Sequence, residues 1–462
     1  MAESWATSGV DLHLEPAGPG GLRRGLTDAL RDAVRTGRLA PGTRLPSSRA
    51  LAADLGIARN TVAEAYADLV AEGWLTARQG SGTRVAARTV VPPSGPARRP
   101  RAPARPTHNL VPGTPDLAAF PRAEWARAAR RALAAAPNDA LGYGDPRGRV
   151  ELRTALAGYL ARVRGVRADP GNLVVTAGFS HALRVLGPVL RARGARSVAV
   201  ESYGLDAYWG LLQAAGLATP ALPWDELGTD PGPLTTEGAV LLTPAHQFPM
   251  GMPLHPDRRT AVVDWARRTD SLVLEDDYDG EFRYDRQPVG ALQGLDPDRV
   301  VYLGTASKSL APGIRLGWMV LPPALVSEVL AAKGHADTVG VLEQLTLAEF
   351  LTSGAYDRQV RAARLRYRRR RDALAAAVAE RVPAVRVTGV AAGLHALLRL
   401  PPGTESSVVQ AAAWQGLALH GLSFHRHPEA VAEQVDALVV GYGTPSDSAW
   451  AGALEALCRV LP

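Results

Sequence analysis

The stretch GTASKSLAPGIR, residues 304–315, holds a lysine and, seven positions later, an arginine, directly after an apolar run. Lysine is scarce in this chain, because only Lys308 and Lys333 are lysines among 52 Lys and Arg residues. A desolvated lysine can form an imine with an aldehyde, whereas arginine stays protonated and cannot. The pattern therefore predicts a functional amine at Lys308, and we interpret Lys333 as an ordinary surface residue.

An acidic run, LEDDYD at residues 274–279, stands at the end of another apolar strand pattern. Acids in such a place are also usual for a metal site or a solvated loop. The chemistry of pyridoxal phosphate (PLP) offers a sharper interpretation, since a carboxylate keeps its pyridine nitrogen protonated and a tyrosine can hydrogen-bond its phenolic oxygen. Lys308 for the aldehyde and Arg315 for the phosphate complete the set.

A glycine turn supports the same interpretation. The residues TAGFS, 176–180, follow an apolar strand pattern and open a helical one. Glycine at such a turn lets backbone N–H groups and the helix dipole hold a phosphate. His181, just inside the helix, is interpreted as structural.

Short apolar strands alternate with helical patterns through the large C-terminal part of the chain. This alternation predicts an α/β domain with a mainly parallel sheet. The predicted strands are 172–176, 197–200, 239–243, 271–275 and 299–303.

Together these residues resemble the fold-type-I, aspartate-aminotransferase-like fold of PLP-dependent transferases, from about Asn109 to the C-terminus. The resemblance implies that Lys308 binds the cofactor as an imine, with Asp276 at the pyridine nitrogen and Tyr278 at the phenolic oxygen. His246 or Gln247 would support the ring. The residues that it implies for the phosphate are Phe179, Ser180, Thr305 and Arg315.

Two positions depart from the pattern of that family. Where an aromatic residue commonly stacks on the cofactor ring, alignment without a gap places Leu205, with Tyr203 close by. A late arginine that holds the substrate carboxylate is expected near Val439 and is absent there, so Arg426 or Arg399 would have to substitute. We therefore expect cofactor binding but weak retention of an ordinary α-amino acid.

The N-terminal part predicts a small helical unit that ends in a β-hairpin. Apolar spacing predicts three helices, which end at Gly37, at Gly56 and near Glu72, with Ser47 or Ser48 as the cap of the second. This is helix-turn-helix spacing followed by a wing, whose glycines permit close approach to a phosphate. The predicted strands of the wing are 74–77 and 83–86.

The segments PGTRLPSSRALA at 41–52, RNTV at 59–62 and EGWL at 72–75 closely resemble the GntR-type winged helix. Ala58 departs from it, because the family places Ser or Thr there as a helix cap, and losing a cap costs roughly 1 kcal/mol. The DNA contacts that the resemblance implies are Arg49, Arg59, Asn60, Thr61 and, at the wing tip, Gly80.

Positive charge is concentrated at the N-terminal end. Residues 1–107 hold 15 arginines and 9 acids, which is +6 of the chain's net +7. This asymmetry indicates an anionic partner such as DNA. Residues 92–106 contain six prolines and four arginines without an acid, which predicts an extended linker with solvated arginines rather than arginines on DNA phosphates. Seven arginines at 361–371 predict a solvated helix face, with a DNA-facing or inter-subunit patch as the alternative.

A winged helix at 1–86, a Pro/Arg-rich linker at 87–108 and an aminotransferase-like domain at 109–462 (with a small subdomain from about 340) resemble the MocR/GabR family of bacterial transcriptional regulators. The resemblance implies a PLP-dependent transcription factor that binds repeated half-sites on double-stranded DNA as a head-to-tail homodimer. Its effector would be PLP or an amine, and we expect sensing rather than catalysis, no metal, and residual half-transamination at most.

Two alternatives remain open at this point. One is an active aminotransferase with an accessory DNA-binding module, and the other is a scaffold with an empty, degenerate pocket. The single cysteine, Cys458, and the lack of a signal peptide or bilayer-spanning stretch predict a cytoplasmic protein without membrane contact.

Overall fold

The computed structural model describes residues 21–78, 82–87, 106–284, 289–335, 339–431 and 435–462. The chain divides into two compact units, residues 1–104 and 105–462. Within the described ranges, no helix is both long and apolar enough to span a bilayer.

The N-terminal unit is three helices followed by an antiparallel hairpin, as predicted. Ser47 caps the second helix by accepting from the Ala50 N–H, and Gly56 ends it with a left-handed φ of 65°. Ala58 makes no side-chain cap bond, which confirms that this helix start is uncapped. The elements are α1 Gly21–Arg35, α2 Ser48–Leu55, α3 Arg59–Ala71, β1 Leu75–Arg78 and β2 Gly82–Val85.

The core of this unit comes from the apolar spacing of its helices. Leu26 and Leu30 of α1 pack with Val62, Tyr66 and Leu69 of α3, and all five side chains are buried. The Tyr66 hydroxyl donates to Pro46 O at 3.1 Å, which attaches the loop before α2 to α3.

The larger unit is an α/β domain. Its helices are α4 Arg122–Ala135, α5 Val150–Arg164, α6 Phe179–Ala192, α7 Asp206–Ala214, α8 Pro256–Thr269, α9 Val326–Lys333, α10 Val341–Thr352, α11 Ala355–Arg381, α12 Glu405–Trp414 and α13 Asp447–Val460. The strands of its main sheet are β4 Leu173–Thr176, β5 Val198–Glu201, β6 Ala221–Leu222, β9 Ala239–Leu242, β10 Leu272–Asp276, β11 Val300–Thr305 and β12 Gly317–Val320. Its remaining strands are β3 His108–Asn109, β7 Trp224–Asp225, β8 Gly228–Thr229, β13 Arg386–Thr388, β14 Ala396–Arg399, β15 Leu417–Ala418, β16 His420–Gly421 and β17 Ala437–Val440.

The main sheet has seven strands in the order β4-β12-β11-β10-β9-β5-β6. Only β12 is antiparallel to its neighbours, so the predicted mainly parallel sheet is confirmed. Strands β10 and β11 are buried on both faces, which is typical of a sheet covered by helices on both sides. The carboxyl ends of β5, β9, β10 and β11 therefore meet at one edge, where such sheets bind ligands.

A second sheet is built from later residues, in the order β13-β14-β17-β16. Val439, at the centre of β17, is fully buried and pairs with Leu397 on one side and His420 on the other. His108 and Asn109 pair in parallel with Leu417 and Ala418, so the backbone at the end of the predicted linker joins this part of the domain.

The structure corrects the interpretation of two cations. Lys333 is not an ordinary surface lysine, because it is only 5% exposed and donates to Pro146 O at 2.9 Å. In α11, most of the seven arginines are exposed as predicted, but Arg370 is only 3% exposed. It donates to Asp116 Oδ2 at 2.9 Å and Pro445 O at 2.7 Å, because it lies on the same helical face as the buried Tyr367.

Candidate functional site

The acidic run at the end of β10 divides its side chains between two faces, because side chains alternate along a strand. Glu275 accepts from the backbone N–H groups of Leu292 and Gln293, at 2.6 and 2.9 Å. Asp277 makes a bidentate ion pair with buried Arg164, at 2.6 and 3.0 Å. These two acids therefore stabilise the domain on the face away from the cavity described next.

The alternate residues of the same run line a cavity of about 160 Å³ at the carboxyl edge of the sheet. Asp276, Tyr278 and Lys308 contribute to its wall together with Pro112 and Gly113. The structure thus brings together the three residues that the sequence predicted for the ring and the aldehyde of the cofactor.

Lys308 lies in the loop after β11, where its Nζ donates a hydrogen bond to Gly113 O. Burial lowers the pKa of the Lys308 ammonium, and the carboxylates of Asp276 and Asp279 oppose that shift only in part. A lower pKa means that more of the amine is unprotonated at neutral pH, which is the nucleophilic form.

Asp276 is buried, and its Oδ1 has no hydrogen-bond partner among the residues that the structure describes. Burial raises the pKa of this carboxyl well above its usual range, while Lys308 acts in the opposite direction. A buried acceptor without a donor costs free energy, so a protonated ring nitrogen at this place would satisfy it. The residues present therefore fit a pyridine ring between Asp276 and Lys308.

Tyr278 is held by the loop that follows β9. Its hydroxyl donates to His246 O at 3.0 Å, and His246 Nδ1 lies 2.8 Å from Asp279 Oδ2. Gln247 points elsewhere, since its amide donates to Tyr203 O and Phe248 O. Of the two alternatives, His246 is the residue that contacts Tyr278.

His246 also belongs to a buried trio with Asp279 and His395. The trio places three ligand atoms within 4.8 Å of one another, in the arrangement of a metal site. The Nδ1 of His246 is engaged with Asp279 at 2.8 Å, and His395 Nε2 lies 3.2 Å from Pro249 O. Hydrogen bonding within the protein therefore accounts for these atoms, and we assign no metal to them.

The glycine turn and Arg315 meet at the start of α6. Gly178 is the N-cap residue with φ of 90°, and a Cβ there would lie 3.2 Å from the Arg315 guanidinium. Arg315 is exposed and donates to Ala177 O. The first N–H groups of α6, at Phe179 and Ser180, have no partners inside the helix and so are available to an anion.

Thr305 and His181 are both hydrogen-bonded to other groups of the protein. Thr305 Oγ1 donates to Ser307 Oγ at 2.8 Å and accepts from the Ser307 N–H at 3.1 Å, which shapes the loop before Lys308. His181 Nδ1 accepts from the Ala177 N–H at 2.9 Å, which confirms its structural role.

Tyr208 is the aromatic residue that the sequence reasoning missed. It lines the cavity with Asp276 and Lys308, and its ring centroid lies 4.5 Å from that of Phe179. Leu205, the aligned position, precedes α7, and Tyr208 follows three residues later, one helical turn on. The spacing of three residues from Leu205, about one helical turn, was the signal that could have identified it.

Most of the residues predicted to contact DNA lie at the starts of two helices of the N-terminal unit. Arg49, Arg59 and Asn60 are exposed at the starts of α2 and α3, and Thr61 is half-buried. We find no ion pair for Arg49 or Arg59 within the described part of the chain. Gly80 lies outside the described residues.

The acids of α3 and Glu72, which follows it, are paired with arginines of α1. Arg23 binds Asp68 at 2.9 and 2.7 Å, and Arg31 binds Glu72 at 2.9 and 2.7 Å. These pairs neutralise the carboxylates of α3, so the free cations are concentrated at its N-terminal end. In helix-turn-helix proteins this end reaches the bases.

Comparison with known proteins finds a family match for each of the two parts of the chain. The model of bacterial regulatory proteins of the gntR family matches residues 22–85, and that of aminotransferase class I and II matches residues 109–428. The chain is 35% identical over 435 residues to the HTH-type pyridoxine biosynthesis transcriptional regulator PdxR of Corynebacterium glutamicum, covering 90% of this chain and 91% of that protein. It is 33% identical to the probable rhizopine catabolism regulatory protein MocR of Rhizobium meliloti, covering 88% of each.

The chain belongs to the MocR-like GntR regulators. It is therefore a DNA-binding transcriptional regulator with an aminotransferase-like domain. An archaeal alanine:glyoxylate aminotransferase shares the fold of that domain, with a TM-score of 0.69 and 24% identity over 77% of this chain and 90% of that one. The aminotransferase class I and II family is PLP-dependent, which agrees with the chemistry of the Lys308 cavity.

Among the described residues, this MocR-like chain places no guanidinium in the cavity wall, although aminotransferases use an arginine to hold the substrate carboxylate. Val439 is buried within the second sheet. Arg426 donates to Ala430 O at 2.6 Å, and Arg399 is exposed at the end of β14. Neither is among the described residues that line the cavity, so the cavity wall gives no support to the alternative that one of them substitutes.

Proposed function

We propose that this regulator holds PLP on Lys308 and that occupation of the cavity, by PLP or by an amine that reacts with it, changes DNA binding by the winged helix. The observation that carries the proposal is the joint placement of Lys308, Asp276 and Tyr278 in one cavity. Coupling of this kind requires that the ligand binds two states of the protein with different affinity.

When bound, PLP supplies an aldehyde that condenses with amines and a ring that withdraws electrons. In the proposed arrangement Lys308 presents its amine, Asp276 accepts the ring N–H, and Tyr278 reaches the phenolic oxygen. The start of α6, at Phe179 and Ser180, takes the phosphate together with Thr305 and Arg315. Tyr208 contacts the ring, in place of the aromatic residue absent at Leu205.

Sensing is favoured over turnover by the polarity of the cavity. A working aminotransferase must hold the carboxylate of its substrate, and no arginine is among the described residues of the wall. A buried carboxylate without a cation is costly. We therefore propose an effector domain rather than an enzyme.

We further propose that the protein acts as a head-to-tail homodimer on repeated half-sites. Support comes from exposed apolar side chains, among them Leu117, Leu141 and Tyr143, the last fully exposed. Burial of such side chains against a second copy of the chain would remove apolar surface from water, which is favourable. Two winged helices would then contact half-sites about one helical turn, or a multiple of it, apart.

The proposed function is tested by binding to DNA from the regulator's own upstream region, with and without PLP, at fixed salt because phosphate contacts make affinity salt-dependent. We expect PLP to change the affinity or the footprint, and Lys308→Ala to abolish that change. Arg59→Ala should weaken binding by about 10-fold with and without PLP, as the loss of one charged contact does. A footprint of a single half-site would contradict the dimer, and binding insensitive to PLP would leave an amine as the effector.

Replacement of Tyr208 tests its assignment to the cofactor ring. We expect Tyr208→Ala to weaken PLP binding by about 10-fold, since an aromatic pair contributes about 0.5–1.5 kcal/mol beyond its buried area. Tyr208→Phe keeps the ring and should bind PLP as the unmodified protein does. Equal dissociation constants for the alanine variant and the unmodified protein, from fluorescence titration, would remove Tyr208 from the site.

A further inference from the structure

Three histidines line the Lys308 cavity and take no part in the proposed binding of PLP. They are His395, His420 and His425. Two phenylalanines of the same wall pack against them, since Phe248 lies 5.0 Å from His425 and Phe424 lies 4.2 Å from His420, between ring centroids. This part of the cavity is therefore aromatic and carries imidazole nitrogens.

The tautomer of His425 follows from its neighbour. Its Nδ1 lies 3.2 Å from Gly204 O, which can only accept, so Nδ1 carries the hydrogen. Burial lowers the pKa of His425 to about 4, so the ring is neutral at neutral pH. Its Nε2 is thus an unprotonated acceptor, and it is buried without a partner among the described residues.

The other two histidines have the same character. His395 Nε2 lies 3.2 Å from Pro249 O, and burial lowers the pKa of this imidazole well below its usual range. Burial also lowers the pKa of His420, whose Nδ1 has no partner within the described ranges. A neutral imidazole has one N–H donor and one lone-pair acceptor, and it carries no positive charge.

The remaining polar groups among the described residues of the wall place no positive charge beside the histidines other than that of Lys308. Glu201 and Asp276 are acids, and Lys308 is the one cation among the described lining residues. A carboxylate placed beside the histidines would meet neutral imidazoles and aromatic rings, with no guanidinium among the described lining residues. A hydroxyl would instead donate to the His425 Nε2, which is otherwise unsatisfied.

We propose that the effector of this cavity is a primary amine that carries an aromatic group and a neutral hydrogen-bond donor, the class of the aryl amino alcohols, and that α-amino acids are excluded. His425 accepts the donor, and the exclusion follows from the absence of a guanidinium among the described residues that line the cavity. This inference rests on the proposed function, because the amine has to reach PLP on Lys308.

The test uses the full-length protein loaded with PLP and three probes that differ at one position. L-phenylalaninol carries a hydroxymethyl group where L-phenylalanine carries a carboxylate, and 2-phenylethylamine carries neither. Dissociation constants are measured from the absorbance of the bound cofactor and divided by those for free PLP in the same buffer, which removes differences in amine reactivity. We expect L-phenylalaninol to bind about 10-fold more tightly than 2-phenylethylamine, and 2-phenylethylamine to bind more tightly than L-phenylalanine.

Two variants connect the selectivity to the histidines. His425→Phe removes the acceptor and should bring the ratio of L-phenylalaninol to 2-phenylethylamine close to one. His420→Arg, at a half-exposed position, introduces a guanidinium and should tighten L-phenylalanine by about 10-fold or more. The second variant keeps the test decisive if the first does not fold.

The outcomes separate the two proposals. If the protein does not retain PLP through Lys308, the proposed function fails and this inference fails with it. If PLP is bound but L-phenylalanine binds at least as tightly as L-phenylalaninol, the inference alone is overturned. An unchanged ratio in His425→Phe, together with an unchanged affinity for L-phenylalanine in His420→Arg, would likewise overturn it.

Discussion

Lys308→Ala should abolish covalent retention of PLP and weaken its binding by about 100-fold or more, which corresponds to about 3 kcal/mol. The reason is that Lys308 is the amine in the cavity wall, with a pKa lowered by burial. Borohydride reduction followed by peptide mass spectrometry should label Lys308 in the unmodified protein and no residue in the variant.

The scarcity of lysine in this chain supplies a precise control. Lys333 is the only other lysine, so Lys333→Met should leave the label on Lys308. Lys308→Arg keeps a cation in the cavity but cannot form the imine, and should behave as Lys308→Ala does. Label on Lys333 in the unmodified protein would contradict the assignment.

Replacement of the neighbouring acids Asp276 and Asp277 by asparagine should have opposite effects. At Asp277 it should lower folding stability, and at Asp276 it should lower PLP affinity. Asp277→Asn leaves the Arg164 guanidinium buried without its charge partner, and we expect a loss of about 3–5 kcal/mol in the free energy of unfolding. Tyr302, whose hydroxyl donates to Asp277 at 2.8 Å, loses its charged acceptor as well. Urea denaturation followed by circular dichroism measures this loss.

Asp276→Asn should cost little folding stability, because it replaces a carboxylate whose Oδ1 has no partner in the described structure. Burial raises the pKa of Asp276. Its contribution to the stability of the PLP-free protein is therefore present below the unfolded pKa and is lost as pH rises through the folded pKa. The variant should gain stability relative to the unmodified PLP-free protein across that rise.

The two variants should also differ in their affinity for PLP. Asp276→Asn should weaken PLP by about 10- to 100-fold, because a charged hydrogen bond to the ring nitrogen is lost. Asp277→Asn, measured where it remains folded, should keep most of the affinity. Equal loss of PLP affinity in the two variants would show that Asp276 has no specific contact with the ring.

Local patterns predicted the parts of the fold that depend on short stretches of chain. The helix end at Gly56, the strand that leads to Asp276 and a serine cap at Ser47 or Ser48 were all predicted from neighbouring residues, and the structure shows Ser47 as the cap. Such features are determined by backbone preference and side-chain periodicity within a few residues. The candidate residues Lys308 and Tyr278 were identified from motifs of the same local kind.

Contacts between distant segments could not be predicted in the same way. Arg164 and Asp277 are 113 positions apart, and the exposure of Arg370 depends on Asp116 on another segment. Tyr208 was missed because alignment along the chain gives position 205, whereas the first turn of α7 places Tyr208 in the cavity wall. The burial of a side chain and the identity of its hydrogen-bond partner depend on tertiary packing. Composition and residue spacing do not specify that packing.

The amino-acid sequence by itself determined the class of this protein: a winged helix and an aminotransferase-like domain with one lysine poised for an aldehyde. The helix and strand patterns and the candidate amine of Lys308 follow from periodicities along the chain and from residue chemistry, whereas the two domain families were indicated by the resemblance of short motifs. The tertiary structure alone decided that Asp276 is the acid that lines the cavity, and that the Nε2 of His425 is buried with no hydrogen-bond partner among the described residues. Both depend on which groups from distant segments meet in the folded core, because a buried polar atom is defined by the partners that reach it.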